Sequence, residues 1–100
     1  MLKFEDQNNV LNVFFPRRLD TDFCLTETNK IEEKFTPNIS AVIFNMQDVD
    51  YISSAFLRIC ITTGKKLGRE NFSLINVLPE VKKVFKIAGI DKILEIKDKE

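Results

Sequence analysis

Ala41-Val42-Ile43-Phe44 is an unbroken apolar run of strand length, followed at once by the polar stretch Asn45-Met46-Gln47-Asp48. Four consecutive apolar side chains leave no face for water, so the run reads as a central strand covered on both faces, in the middle of a sheet. The rest of the chain must supply its neighbours and the helices that cover them. Leu2 to Glu5 and Val10 to Phe15 read as strands joined at Asn8-Asn9, a two-residue connection in which asparagine tolerates positive φ. Pro16 closes that ladder. Asp20 or Thr21 can cap a helix in which Cys24, Thr28, Ile31 and Phe35 recur every three or four residues, and Pro37 ends it. A second helix runs from Ser54 to about Lys66 with Leu57, Cys60, Ile61 and Gly64 on one face, and Gly68 supplies its exit. Phe72 to Val77 is the next strand. Pro79 opens a third helix whose Val81, Val84, Phe85 and Ala88 form an inward stripe before Gly89, and Ile93 to Ile96 is a last short strand.

Strands alternating with helices predict right-handed crossovers and a largely parallel sheet, the initial hairpin adding an antiparallel edge. The fold class is α/β, a four- to five-stranded mixed sheet with three main helices. Residues 1–100 are expected to form one domain, with Lys97-Asp98-Lys99-Glu100 fraying because nothing apolar anchors it.

Fifteen basic and fifteen acidic side chains cancel, so no global field draws the chain to nucleic acid or an anionic membrane. The basic residues are dispersed without interleaved aromatics, and the glycine spacing matches no phosphate loop. No apolar run reaches the length of a membrane span, and the acidic start Met1-Leu2-Lys3-Phe4-Glu5-Asp6 is unlike a secretory signal, which predicts a cytoplasmic protein with no direct membrane insertion. On the same ground the glycosylation patterns at Asn38 and Asn71 are set aside. Cys24 and Cys60 lie in apolar helical stripes and read as reduced core residues. The chain has no histidine, which removes histidine metal ligands and Ser-His or Cys-His catalysis. No nucleophile, metal site or apolar pocket is indicated around Asp48 and Asp50, so no catalytic residue, metal or cofactor is assigned and the chain is not read as an enzyme.

The chemistry-bearing segment is Asp48-Val49-Asp50-Tyr51-Ile52-Ser53-Ser54-Ala55-Phe56-Leu57-Arg58. An acidic turn leads into two serines that open an apolar helical stretch, where unpaired backbone N–H groups and the positive helix end converge. That is a favourable place for a phosphate. By helix spacing alone Ser54 reads as an N-cap.

From Asn45 to Arg58 the segment resembles the signature of STAS domains, the bacterial anti-sigma factor antagonists, in which a short loop delivers a phosphorylatable serine to a helix start. Arg18-Leu19-Asp20 resembles the family's turn ending in Leu-Asp. Asn76 to Phe85 followed by Ala88 to Ile93 resembles its last helix and closing strand. The chain departs from the family pattern at Phe56, where a glycine is usual, and at Arg17, which replaces a glycine before the Leu-Asp turn.

The resemblance implies an anti-sigma factor antagonist acting by partner switching. Ser54 falls on the serine phosphorylated in the family, with Ser53 the alternative. Asp20, Asn45, Asp48, Asp50, Ser53, Ala55, Phe56 and Arg58 are the implied partner-binding residues. The implied partners are an anti-sigma factor that is also a GHKL-type serine kinase, and a PPM-type serine phosphatase, with the chain itself a monomer or weak dimer. The alternative is a constitutive STAS scaffold, in a lipid-transport ABC complex or a stressosome-like sensory assembly.

Overall fold

The computed structural model describes residues 2–99. In chain order the elements are β1 (Lys3–Gln7), β2 (Val10–Phe14), β3 (Arg18–Leu19), α1 (Thr21–Glu33), β4 (Ala41–Asn45), β5 (Tyr51–Ile52), α2 (Ser54–Leu67), β6 (Phe72–Val77), α3 (Pro79–Ile87) and β7 (Glu95–Asp98). Asn8 and Asn9 both take positive φ, +55° and +66°, the geometry that lets a two-residue turn follow the twist of its strands. This sets β1 and β2 antiparallel from Gln7↔Val10 to Lys3↔Phe14. The remaining pairings, β2 with β4, β4 with β6 and β6 with β7, are parallel. The order is β1-β2-β4-β6-β7, with β4 in the centre and β1 and β7 at the edges. This is the expected α/β fold, a five-stranded mixed sheet with three helices.

Only one face of that sheet is sealed. Leu11, Val13, Val42, Phe44, Phe72 and Leu74 are buried, while the alternate residues Asn12, Phe14, Ile43, Ser73 and Ile75 stay half-exposed. The central strand is therefore not covered on both faces. Ile43 pairs laterally with Asn12 and Ser73, so its open face is half polar and does not need a second helical layer.

The helices follow from their caps and stripes. Asp20 caps α1 by accepting the Phe23 N–H at 2.9 Å, and Cys24 and Ile31 are buried on its inner side. Phe35 lies beyond the end of α1. The buried side of α2 is Phe56, Ile59, Cys60 and Thr63, rotated from the expected stripe, with Leu57 and Ile61 half-buried. Gly64 explains part of the rotation: a Cβ there would stand 2.7 Å from Leu94 Cδ2, so the helix backbone rests against the approach to β7. In α3 only Val81 and Phe85 are buried, and Val84 and Ala88 face solvent, because a nine-residue helix at the end of the sheet has one narrow side covered.

The last strand also differs from expectation. Ile93 is exposed, Leu94 is buried, and pairing begins at Glu95. Lys97 and Asp98 belong to β7 rather than to a frayed tail. Backbone pairing and charge hold them: the Lys99 N–H donates to the Val77 carbonyl at 3.0 Å, and Asp98 pairs with Lys82 at 2.7 Å. The fraying expected at Glu100 falls outside the described residues. Among those residues, no helix is long and apolar enough to cross a membrane.

Candidate functional site

α1, α2 and α3 come after β2, β4 and β6, three neighbouring parallel strands, so all three helix amino ends emerge beyond the carboxyl ends of those strands. At that end β3 and β5 form a second, two-residue parallel ribbon in which Arg18 pairs with Tyr51 and Leu19 with Ile52. The residues that follow, Asp20 and Ser53, are the N-caps of α1 and α2. The Ser53 N–H donates to the Leu19 carbonyl at 3.0 Å, which sets the two helix starts side by side. Leu19 and Ile52 are buried and anchor the ribbon.

Ser53 and Ser54 are in opposite situations. Ser53 is 8% exposed and its Oγ accepts the Phe56 N–H at 3.4 Å, with the Cys24 thiol 3.9 Å away. Ser53, not Ser54, is therefore the cap. Ser54 is the first helical residue, exposed, with its hydroxyl free of hydrogen bonds among the described residues. The register of the β3–β5 ribbon decides this, since backbone pairing at Ser53 fixes it in an extended conformation, φ −104° and ψ 169°, that a cap requires.

The loop ahead of the serines is built from inside. Val49 is fully buried, and its N–H donates to the Met46 carbonyl at 3.0 Å to close a turn. Asp48 is exposed at that turn and pairs with no side chain among the described residues. Asp50 is engaged: its N–H donates to the Arg17 carbonyl at 2.9 Å, and its carboxylate pairs with the Arg17 guanidinium at 2.8 Å. Arg17 thus ties this loop to the segment between β2 and β3. Next to it the Arg18 guanidinium lies 4.5 Å from the centre of the exposed Tyr51 ring. Neither pair was visible in the sequence, because the ribbon that aligns them is too short to leave a periodic pattern.

Two expected partner-binding residues have other roles. Phe56 is fully buried, its ring 5.2 Å from Phe15, 6.1 Å from Phe44 and 6.5 Å from Phe85, so it fills the core and is not presented to a partner. Asn45 is half-buried; its Oδ1 accepts the Gln47 N–H at 3.1 Å and the Asn76 side-chain amide at 3.2 Å. That bond steadies Asn76, which takes φ +56° where β6 and β7 slip in register. Ala55 is half-buried and Arg58 exposed, one turn beyond Ser54. The surface at this end therefore gathers Asp20, Asp48, Asp50, Ser54 and Arg58, with Ser53 just beneath.

Both thiols are buried and free. Burial pushes the Cys60 thiol well above its ordinary value; burial also raises Cys24, partly opposed by its contact with Ser53. They are packing residues in the neutral form. Among the described residues there is no cluster of three or more Cys, Asp or Glu that could hold a metal ion.

Known proteins share this architecture. A protein from Thermotoga maritima superposes with a TM-score of 0.86 at 17% identity, covering 97% of this chain and 86% of its own. An anti-sigma factor antagonist from Mycobacterium paratuberculosis gives 0.85 at 21%, covering 97% and 84%. The Bacillus cell fate determinant SpoIIAA gives 0.79 at 18% in its unphosphorylated form, covering 96% and 87%, and 0.72 at 17% in its phosphorylated form, covering 96% and 90%. At these identities the likeness establishes the fold. No curated protein matches the chain in sequence. The sequence model of the STAS domain does match, over residues 4–100, and by that match the chain belongs to the STAS domain family.

Proposed function

We propose that this chain is an anti-sigma factor antagonist that works by partner switching, with Ser54 as the phosphorylated residue. The observation that carries the reading is the contrast between the two serines: Ser54 is exposed with a free hydroxyl at the first position of α2, while the Ser53 hydroxyl is buried and engaged. Unphosphorylated, the chain binds a serine kinase that doubles as the anti-sigma factor, and so frees the sigma factor. Phosphorylation ends that complex and a PPM-type phosphatase restores it. The chain is then a substrate of both enzymes and has no turnover of its own. Membership of the STAS family and the likeness to antagonists solved in both phosphorylation states support this.

The electrostatics suit a switch that leaves the fold intact. A phosphate adds roughly −1.5 to −2 charge, which the amino end of α2 accommodates. The same charge faces any partner docked across Asp20, Asp48 and Ala55, where desolvation and repulsion act directly. Folding and binding then respond separately to one modification.

The test mixes the unmodified protein with the candidate kinase and ATP, locates the phosphate by mass spectrometry, and titrates Ser54→Ala and Ser54→Asp against the kinase. The expected results are phosphate on Ser54, persistent binding by Ser54→Ala, and binding by Ser54→Asp weakened at least about tenfold. Phosphate on neither serine, together with equal binding by both variants, would leave a constitutive scaffold instead.

A further inference from the structure

α1 and α2 start side by side at the β3–β5 ribbon and pack against one another. Leu25 and Arg58 lie in the early turns of the two helices, and Glu32 and Lys66 in their late turns. Between the two helices lies a groove of about 330 Å³. Its floor is apolar and buried, made by Cys24, Ile31 and Ile59, and Phe35 closes the far end. Leu25, 68% exposed, forms part of its lip. An apolar floor left open between packed helices is surface that an apolar occupant would cover at a gain.

Charge along the groove is uneven. At the end nearest Ser54 the lining carries Arg58, exposed and without an ion-pair or hydrogen-bond partner among the described residues, and no carboxylate lines that end. At the far end Lys66 lies 5.5 Å from the centre of the Phe35 ring and Glu32 also lines the groove, one charge of each sign. One unpaired guanidinium at the head of an apolar channel matches a ligand with a single anionic group and an unbranched apolar body. A guanidinium receives a carboxylate through two parallel hydrogen bonds. From Arg58 to Lys66 the helix rises about 12 Å, and a cavity of this size holds roughly a dozen non-hydrogen atoms, too few for a partner helix about 10 Å across.

We propose that the α1–α2 groove binds a medium-chain aliphatic carboxylate of roughly eight to ten carbons, its head on Arg58 and its chain over Ile31 and Ile59 toward Phe35. Nothing in this site requires phosphorylation of Ser54. Its head lies one helical turn from that serine, so occupancy and the proposed switch would report on each other.

The experiment titrates decanoate, below its micelle concentration, into isotopically labelled protein and follows backbone amide shifts. Acetate and decanol are run in parallel, together with Arg58→Gln, the groove-filling Thr62→Trp and the remote Lys86→Gln. Saturable shifts confined to α1 and α2 are expected, weakened about tenfold or more by Arg58→Gln, abolished by Thr62→Trp and unchanged by Lys86→Gln. Acetate should give none, and decanol should bind at least about tenfold more weakly than decanoate. Both substituted groove residues are exposed, so native spectra are expected for both variants. The proposal is overturned if decanoate does not saturate, if decanol binds equally well, if Arg58→Gln binds like the parent, or if the shifts centre on the α3 lysines. Shifts of the groove residues on dilution alone would identify a second copy of the chain as the occupant and also overturn it.

Discussion

Adjacent serines with nearly the same neighbours acquire different chemistry here because one of them is tied to a strand. Ser53 is held by the Leu19 carbonyl and turned inward to receive the Phe56 N–H, whereas Ser54 has already entered the helix. Ser53→Ala should therefore lower unfolding free energy by about 1 kcal/mol, while Ser54→Ala should change it by less than about 0.5 kcal/mol, measured by denaturant titration. Equal losses would place the cap on both residues. A one-residue ambiguity of this kind is beyond sequence pattern, since both serines precede the same apolar stretch and the deciding contact comes from Leu19, far away in the chain. At α1 the sequence likewise left the cap between Asp20 and Thr21, and the bond from the Phe23 N–H assigns it to Asp20. Buried thiols give a second residue-scale expectation. Both are raised in the folded state, by burial first, so the unfolded chain loses these protons before the folded one does. Below the ordinary thiol value, 9.0, the two states bind these protons equally; above it, stability should fall as pH rises. Denaturation midpoints compared at about pH 8 and pH 10 should show that fall, and Cys60→Ala should reduce it. In the native protein at about pH 8 both cysteines should resist alkylation that proceeds readily in denaturant.

At the scale of elements, what could be read from the sequence was whatever repeats. The hairpin at Asn8-Asn9, the central place of β4, the start of α2 and the opening of α3 at Pro79 all carry local signals of turn, run length or cap. What could not be read depends on partners distant in the chain. The β3–β5 ribbon is two residues long in each strand and has no period of its own. The rotation of α2 depends on Leu94 meeting Gly64, and the exposure of Val84 on how little of α3 the sheet can cover. Phe56 belongs here too, because its place after the serines suggested a contact residue and the packing of Phe15, Phe44 and Phe85 makes it a core residue. Phe56→Ala should cost about 3–5 kcal/mol, a large part of the roughly 5–15 kcal/mol available to such a domain. Phe56→Gly, which restores the residue usual in the family, should cost more still, because it adds backbone freedom to the lost packing. A denaturation midpoint for Phe56→Ala near that of the parent would show that the ring is not a keystone of the core.

Taken as a whole, the molecule concentrates its chemistry at one end because each helix comes after one of the parallel strands β2, β4 and β6, a consequence of the strand-helix alternation that the sequence already displays. The opposite trait, a sheet face left half open, escaped notice because the run Ala41 to Phe44 looks the same whether one face or two are covered. Its signal lay in the neighbours, Asn12 in β2 and Ser73 in β6, which put polar side chains beside Ile43. The two sheet edges have a further consequence, a colloidal one. With fifteen charges of each sign the molecule carries no net charge at neutral pH, so copies approaching one another meet no long-range repulsion. What keeps them from joining sheet to sheet is local: β1 presents Lys3, Glu5 and Asp6, and β7 presents Glu95, Lys97 and Asp98, so each unpaired edge is studded with ions that another strand would have to strip of water. Replacing Glu5 and Asp6 together by valine should leave the melting temperature within a few degrees of the parent. Light scattering should nevertheless rise steeply with concentration in that variant, and a variant as monodisperse as the parent would place the protection elsewhere. For a protein without net charge, dispersal in solution rests on six edge side chains rather than on overall charge.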